Sequence, residues 1–224
     1  MTHAADTAAA PHHSGPQGET VVYTYLGPEG TFTEAALLRI PGASDAVRIP
    51  APSVNSALEM VRSGQANAAV VPIENSVEGG VSATLDALSG GTSLRILHEI
   101  LVPITFVLAV RPGIGLADIR TVSTHTHAWA QCREWAAANI PSAEYLPASS
   151  TAAAAVELAR EEPAFDAAIC APLVAERLGL EVLREDIGDV RDAVTRFVMI
   201  SLPGLLPEPT GADKTTLVIP LPED

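Results

Sequence analysis

From residue 20 onward the sequence switches repeatedly between short β-branched runs and helical patterns, and that alternation limits the fold more than any other feature. "TVVYTYL" (20–26) reads as a strand ending at Gly27, and "TFTEAALLRI" as a helix with Phe32, Ala35, Ala36 and Ile40 at helical spacing. "AVRIP" is a second strand. In "SVNSALEMVRSG", Ser53 caps a helix whose apolar face is Val54, Ala57, Leu58 and Val61, and Gly64 stops it. The strand "NAAVVPIENS" and the short helix "SATLDALSGG" follow. Leu94 to Val110 reads as one or two extended strands broken near Pro103, a crossing between lobes. Three further β-then-α units come next: "IRTVST" with "HAWAQCREWAAAN", "AEYLP" with "STAAAAVELARE", and "FDAAICA" with "PLVAERLG". "EVLRE" and "AVTRFVMI" are the last strands. This order predicts an α/β fold with a mostly parallel sheet and helices on both faces.

Residues 1–19 are small, polar and aperiodic, the composition of a disordered tail. With 224 residues, 47% of them hydrophobic, the chain can bury the core of one large domain or of two lobes. Its net charge is −14 and its one lysine is Lys214, so it has no basic patch for nucleic acid. The acidic surface disfavours anionic membranes. The longest apolar run, "ILHEILVPITFVLAV", is too short to span a bilayer, and the amino terminus lacks the order of a signal peptide. A cytoplasmic location is the expectation. Cys132 and Cys170 lie in apolar segments without metal or disulfide spacing and read as buried reduced thiols.

In open α/β sheets, ligands bind where the carboxyl ends of strands feed helix amino termini. "LGPEGTFTE" puts Gly27, Gly30 and Thr31 there, either as an anion cradle or as a structural turn. "VVPIENSVEGG" breaks an apolar strand into Glu74, Asn75 and Ser76, which reads as a ligand site or as a capped turn. In "STHTHAWAQC" a helix starting near Thr126 aligns His127 with Gln131, with Thr124 just before, and puts Trp129, Cys132 and Ala136 on an apolar face. Ser149, Ser150 and Thr151 head another helix as caps or carboxylate binders. In "AVTRFVMI", strand alternation puts Thr195, Phe197 and Met199 on one face and Val194, Arg196, Val198 and Ile200 on the other. Thr195 and Arg196 therefore point apart. Arg196 is expected to brace the fold through Asp189 or Asp192.

Taken in order, "GPEGT" (27–31), "PIENS" (72–76), "THTHAWAQC" (124–132), "STAAAA" (150–155) and "TRF" (195–197) resemble the motifs of the prephenate dehydratase family, over about residues 21–202. Thr124 stands where the family usually has Ser, Thr126 and His127 replace Pro and Gln, and Ala193 replaces an Asn. The resemblance implies a two-lobed α/β fold of the type II periplasmic-binding-protein kind. Its mixed sheets carry helices on both faces, and the ligand cleft lies between the lobes. One lobe spans about residues 20–102 and 188–204, and the other about 103–187. It also implies that prephenate is the substrate and phenylpyruvate the product. Thr195 is then the catalytic threonine, and Asn75, Thr124 and Gln131 act in binding or catalysis. Thr31, Ser76, Ser150 and Thr151 are carboxylate binders, and Glu74, Arg196 and Phe197 line the site. No metal or organic cofactor is implied, and a homo-oligomer is.

Full-length relatives continue into an ACT domain that binds phenylalanine. Residues 205–213 would be a linker, and "KTTLVIPLPED" (214–224) that domain's first strand, poorly packed, with the effector site absent. Three other readings compete: arogenate dehydratase, a non-aromatising prephenate decarboxylase, and a non-catalytic solute-binding module. The decarboxylase relatives lack the E-N-S and T-R-F elements present here.

Overall fold

The computed structural model describes residues 20–77, 79–204 and 208–217. The predicted tail therefore lies outside the described residues. The elements in chain order are β1 (Val22–Leu26), α1 (Phe32–Leu37), β2 (Val47–Ala51), α2 (Val54–Arg62), β3 (Ala68–Asn75), β4 (Gly79–Gly80), α3 (Ser82–Ser89) and β5 (Arg95–Pro103). These are followed by β6 (Val107–Val110), β7 (Thr121–Thr124), α4 (Thr126–Ala130), α5 (Arg133–Asn139), β8 (Glu144–Pro147) and α6 (Thr151–Leu158). β9 (Ala167–Cys170), α7 (Pro172–Arg177), β10 (Glu181–Arg184) and β11 (Val194–Ser201) are the last helices and strands among the described residues.

The strands form two sheets, ordered β2-β1-β3-β11-β5, with β4 against β3, and β10-β6-β9-β7-β8. β1 pairs parallel with β2 and β3, but β11 is antiparallel to both its neighbours. In the second sheet β7 is parallel to β8 and β9, while β6 is antiparallel to β9 and β10. The single mostly parallel sheet expected from the β/α order is thus two mixed sheets. The chain leaves the first lobe after Pro103 and returns as β11 running the opposite way, so, besides the two-residue β4 that is antiparallel to β3, each lobe carries one reversed strand, β11 and β6. This is the two-lobed architecture of the type II periplasmic-binding-protein kind.

The two crossings are tied together. Ile104 N–H donates to Ala193 C=O at 2.8 Å, and Ile187 N–H to Phe106 C=O at 3.1 Å. Beside them Phe32 of α1 meets Phe106 edge-on, with ring centroids 5.7 Å apart. Phe32 and Ile104 pack against the cores of both lobes.

Local chemistry explains the elements around this frame. Ser53 Oγ accepts from Ser56 N–H at 3.1 Å, capping α2, and Val54, Ala57, Leu58 and Val61 are all buried against β3 and β11. On β11, Phe197 and Met199 enter one core and Val198 and Ile200 the other, the alternation of a strand buried on both faces. The segment expected to be one helix from His127 to Asn139 is two, broken at Gln131 and Cys132. Residues 214–217 form no strand; they are exposed, with Lys214 bonded to Glu99 at 2.7 Å. Among the described residues no helix is long and apolar enough to cross a membrane.

Candidate active site

In the β3–β11 ladder Thr195 lies opposite Asn75 and Arg196 opposite Glu74. The next pair is Phe197 with Pro72, so Ile73 is an extra residue on β3. Unbroken alternation would group Asn75 with Ile73 and Val71, toward α2. The bulge re-aims the residues beyond it, and Asn75 Nδ2 donates to Thr195 Oγ1 at 3.2 Å. Val77 N–H donates to Asn75 Oδ1 at 2.7 Å, which orients the amide with its NH2 toward the threonine. Thr195 is 6% exposed. Since its oxygen accepts from the amide, its own proton is left to donate elsewhere.

Glu74 and Arg196 sit on the other face of the ladder. Arg196 forms ion pairs with Glu74 at 3.2 Å and Glu99 at 3.3 Å, and Lys214 continues the row at Glu99. The expected partners of Arg196 were Asp189 or Asp192. Alternation instead turns its side chain to the carboxylates that β3 and β5 present on that face. Neither Glu74 nor Arg196 joins the Asn75–Thr195 group. Phe197 is core, 2% exposed, one alternation step behind Thr195.

Most of the candidate hydroxyls are engaged by backbone. Thr31 Oγ1 accepts from Glu34 N–H at 3.4 Å and donates to Leu26 C=O at 3.3 Å, capping α1. Ser76 Oγ accepts from Val194 N–H at 2.9 Å and locks β11 one residue before Thr195. Ser150 Oγ caps α6 through Ala153 N–H at 2.9 Å, and Thr151 is the half-buried first residue of that helix. Thr124, fully buried, donates to Ile169 C=O at 2.7 Å, and its own carbonyl accepts from the Tyr145 phenol at 3.2 Å. Gln131, half-buried, ends α4, and its carbonyl accepts from Asp189 N–H at 2.6 Å.

The "GPEGT" turn, read as a possible anion cradle, is filled by the protein itself. The Glu34 carboxylate accepts from Gly30 N–H at 2.6 Å and from Arg177 Nη1 at 2.7 Å, which joins α1 to α7 of the other lobe. Burial alone would raise the Glu34 carboxyl, but the Arg177 guanidinium and Gly30 N–H together hold it below its ordinary value. A Cβ on Gly30, whose φ is +80°, would lie 2.6 Å from Val174 Cγ2. Only glycine allows this close approach of the turn to α7. The pairing of Glu34 and Arg177 has no local signal in the sequence beyond the capping-box spacing of Thr31-x-x-Glu34. A cavity of about 330 Å³ lined by Tyr25, Glu29, Glu34, Arg48 and Arg177 lies at this contact. Another, of about 450 Å³, opens between α2 and α3 and shares no lining residue with the Asn75–Thr195 group.

Cys132 and Cys170 are buried free thiols, as expected. Burial pushes each up to about 12, with the Asp189 charge adding to the effect at Cys132, so neither is a thiolate nucleophile at neutral pH.

The sequence profile of prephenate dehydratase matches residues 23–204. The chain belongs to the prephenate dehydratase family. The prephenate dehydratase of Mycolicibacterium vanbaalenii is 46% identical over 210 residues, covering 88% of this chain and 67% of that protein. Among solved structures, the prephenate dehydratase of Arthrobacter aurescens in complex with L-Phe matches with a TM-score of 0.81 and 63% identity, covering 86% of this chain and 63% of that one. GqqA, described as a novel type of quorum-quenching acylase, matches with a TM-score of 0.71 and 29% identity, covering 84% of this chain and 67% of that one. The chain spans about two thirds of the length of these relatives. In prephenate dehydratase terms, the E-N-S and T-R-F elements are the two strands of one ladder, joined side chain to side chain at Asn75 and Thr195.

Proposed function

We propose that this chain converts prephenate to phenylpyruvate, with the Thr195 hydroxyl assisting departure of the ring hydroxyl. The observation that carries the reading is the hydrogen bond from Asn75 to Thr195 in a member of this family. In the reaction the bond from the ring to its carboxylate breaks and its electron pair enters the ring. The ring C–O bond breaks in turn, and CO2 and hydroxide leave. Aromaticity of the product drives the step. The protein has to hold two carboxylates and donate a hydrogen bond or proton to the departing oxygen.

A neutral donor suits this task. Permanent positive charge on the leaving carboxylate would stabilise the ground state more than the transition state. Asn75 donating to Thr195 Oγ1 leaves the threonine O–H as the outgoing donor and polarises it. In this reading Gln131 supplies a further amide contact to substrate from the other lobe. The buried Thr124, already bonded to Ile169, fixes the end of β7 from which α4 starts. The chemistry calls for no metal or organic cofactor.

Acylase chemistry, named for GqqA, would require a general base within reach of the Thr195 hydroxyl. The hydroxyl's bonded neighbour is an amide N–H, which is not a base. Incubation with prephenate, read by phenylpyruvate absorbance in alkali, tests the proposal. Turnover above the uncatalysed rate supports it. Binding without turnover would favour a solute-binding module, turnover of arogenate alone would change the substrate, and CO2 release without phenylpyruvate would indicate the non-aromatising decarboxylase.

A further inference from the structure

Asp189 lies in the return crossing, six residues before Thr195, yet its carboxylate and its N–H bond to the other lobe. Its Oδ2 accepts from Glu134 N–H at 2.9 Å and its Oδ1 from Trp135 N–H at 2.9 Å. Its own N–H donates to Gln131 C=O at 2.6 Å. Cys132, the residue in the N-cap position of α5, makes no side-chain cap bond, so the carboxylate from the crossing supplies the cap. These three bonds hold both sides of the break between α4 and α5, and the break is where Gln131 stands. Adjacent Gly188 runs close by, its Cβ position 4.0 Å from Gln131 C=O and 3.8 Å from the Phe106 ring.

We propose that Asp189 is a positioning residue: it fixes Gln131 in one lobe relative to Thr195 in the other, because a single stretch of chain both caps α5 and leads into β11. Asp189 touches no reacting atom in this scheme and acts only through Gln131. The inference rests on the proposed reaction for its kinetic test and on the three bonds for its structural one.

The experiment is a double-mutant cycle on the chain with prephenate, using Asp189→Ala, Gln131→Ala and the pair, with Asp189→Asn as the conservative variant. Ser53→Ala, which removes the cap of α2, is the control for lost helix capping. Misplacing a substrate contact by about 1 Å costs about 100-fold, so kcat/KM should fall by about that factor in Asp189→Ala and recover in part in Asp189→Asn. The double variant should lose no more than about threefold beyond Gln131→Ala alone. Ser53→Ala should lower Tm comparably and leave kcat/KM alone. Multiplying effects in the cycle, unchanged turnover in Asp189→Ala, or an equal activity loss in Ser53→Ala would each overturn the proposal. If Asp189→Ala does not fold, Asp189→Asn takes its place in the cycle. If the unmodified chain has no turnover, the proposed reaction fails, and the positioning claim is then decided by amide hydrogen exchange. Faster exchange at residues 131–135 in Asp189→Asn, but not in Ser53→Ala, supports it, and unchanged exchange overturns it.

Discussion

Asn75 donates its side-chain amide to the Thr195 hydroxyl across a ladder that pairs residues 120 positions apart in sequence. The amide occupies an acceptor position of the hydroxyl oxygen, which leaves the hydroxyl proton to donate elsewhere. Asn75→Ala should therefore lower kcat by about 100-fold, the usual effect of losing one preorganised donor. Its Tm should drop by no more than a few degrees, since the site is half-buried and water can replace the bond. Steady-state kinetics with a thermal melt checks both parts.

The Glu34–Arg177 pair makes the contact between lobes sensitive to acid. The Glu34 carboxyl is held below its ordinary value of 4.5 in the folded protein, so the unfolded chain binds its proton first as pH falls. Its stabilising contribution is complete well above pH 4.5 and is lost as pH falls through the depressed folded value. Glu34→Gln should destabilise the protein at pH 7 by about 1–3 kcal/mol, the range for weakening bonds to a buried acceptor. It should also flatten the fall of Tm below pH 5. Melts between pH 3 and 7 give the answer, and equal slopes in the two proteins would count against this role of the Glu34–Arg177 pair.

Arg196 neighbours Thr195 in sequence but faces away from it, paired with Glu74 and Glu99. Half-exposed ion pairs of this kind are worth about 0–1 kcal/mol. Arg196→Met should keep kcat/KM within about threefold of the unmodified chain and cost about 1 kcal/mol or less of stability. A loss of turnover comparable to that of Asn75→Ala would return Arg196 to the site.

What the sequence discloses about this protein depends on how far apart the interacting residues lie. The face of α2, its Ser53 cap and the division of Thr195 from Arg196 follow from periodicities of a few residues, and each is seen in the fold. The break between α4 and α5 is not legible, because the cap that permits it comes from Asp189, 55 and 54 residues away from its amide partners. Glu34 could be read only as a local capping residue, since Arg177 lies 143 positions further on. The contact of Asn75 with Thr195 depends on the extra Ile73 in β3, and no glycine at that point marks the bulge. The motifs thus point to Asn75 and Thr195, and only the register explains how they meet.

The central claim is that the Thr195 hydroxyl acts on the leaving oxygen of prephenate. Thr195→Val keeps the β-branched shape at this strand position and removes the hydroxyl alone. Phenylpyruvate formation by this variant, measured beside its affinity for prephenate, is the most direct test. Its kcat should fall by about 100-fold or more, with binding changed only a few-fold. Turnover equal to that of the unmodified chain would contradict it.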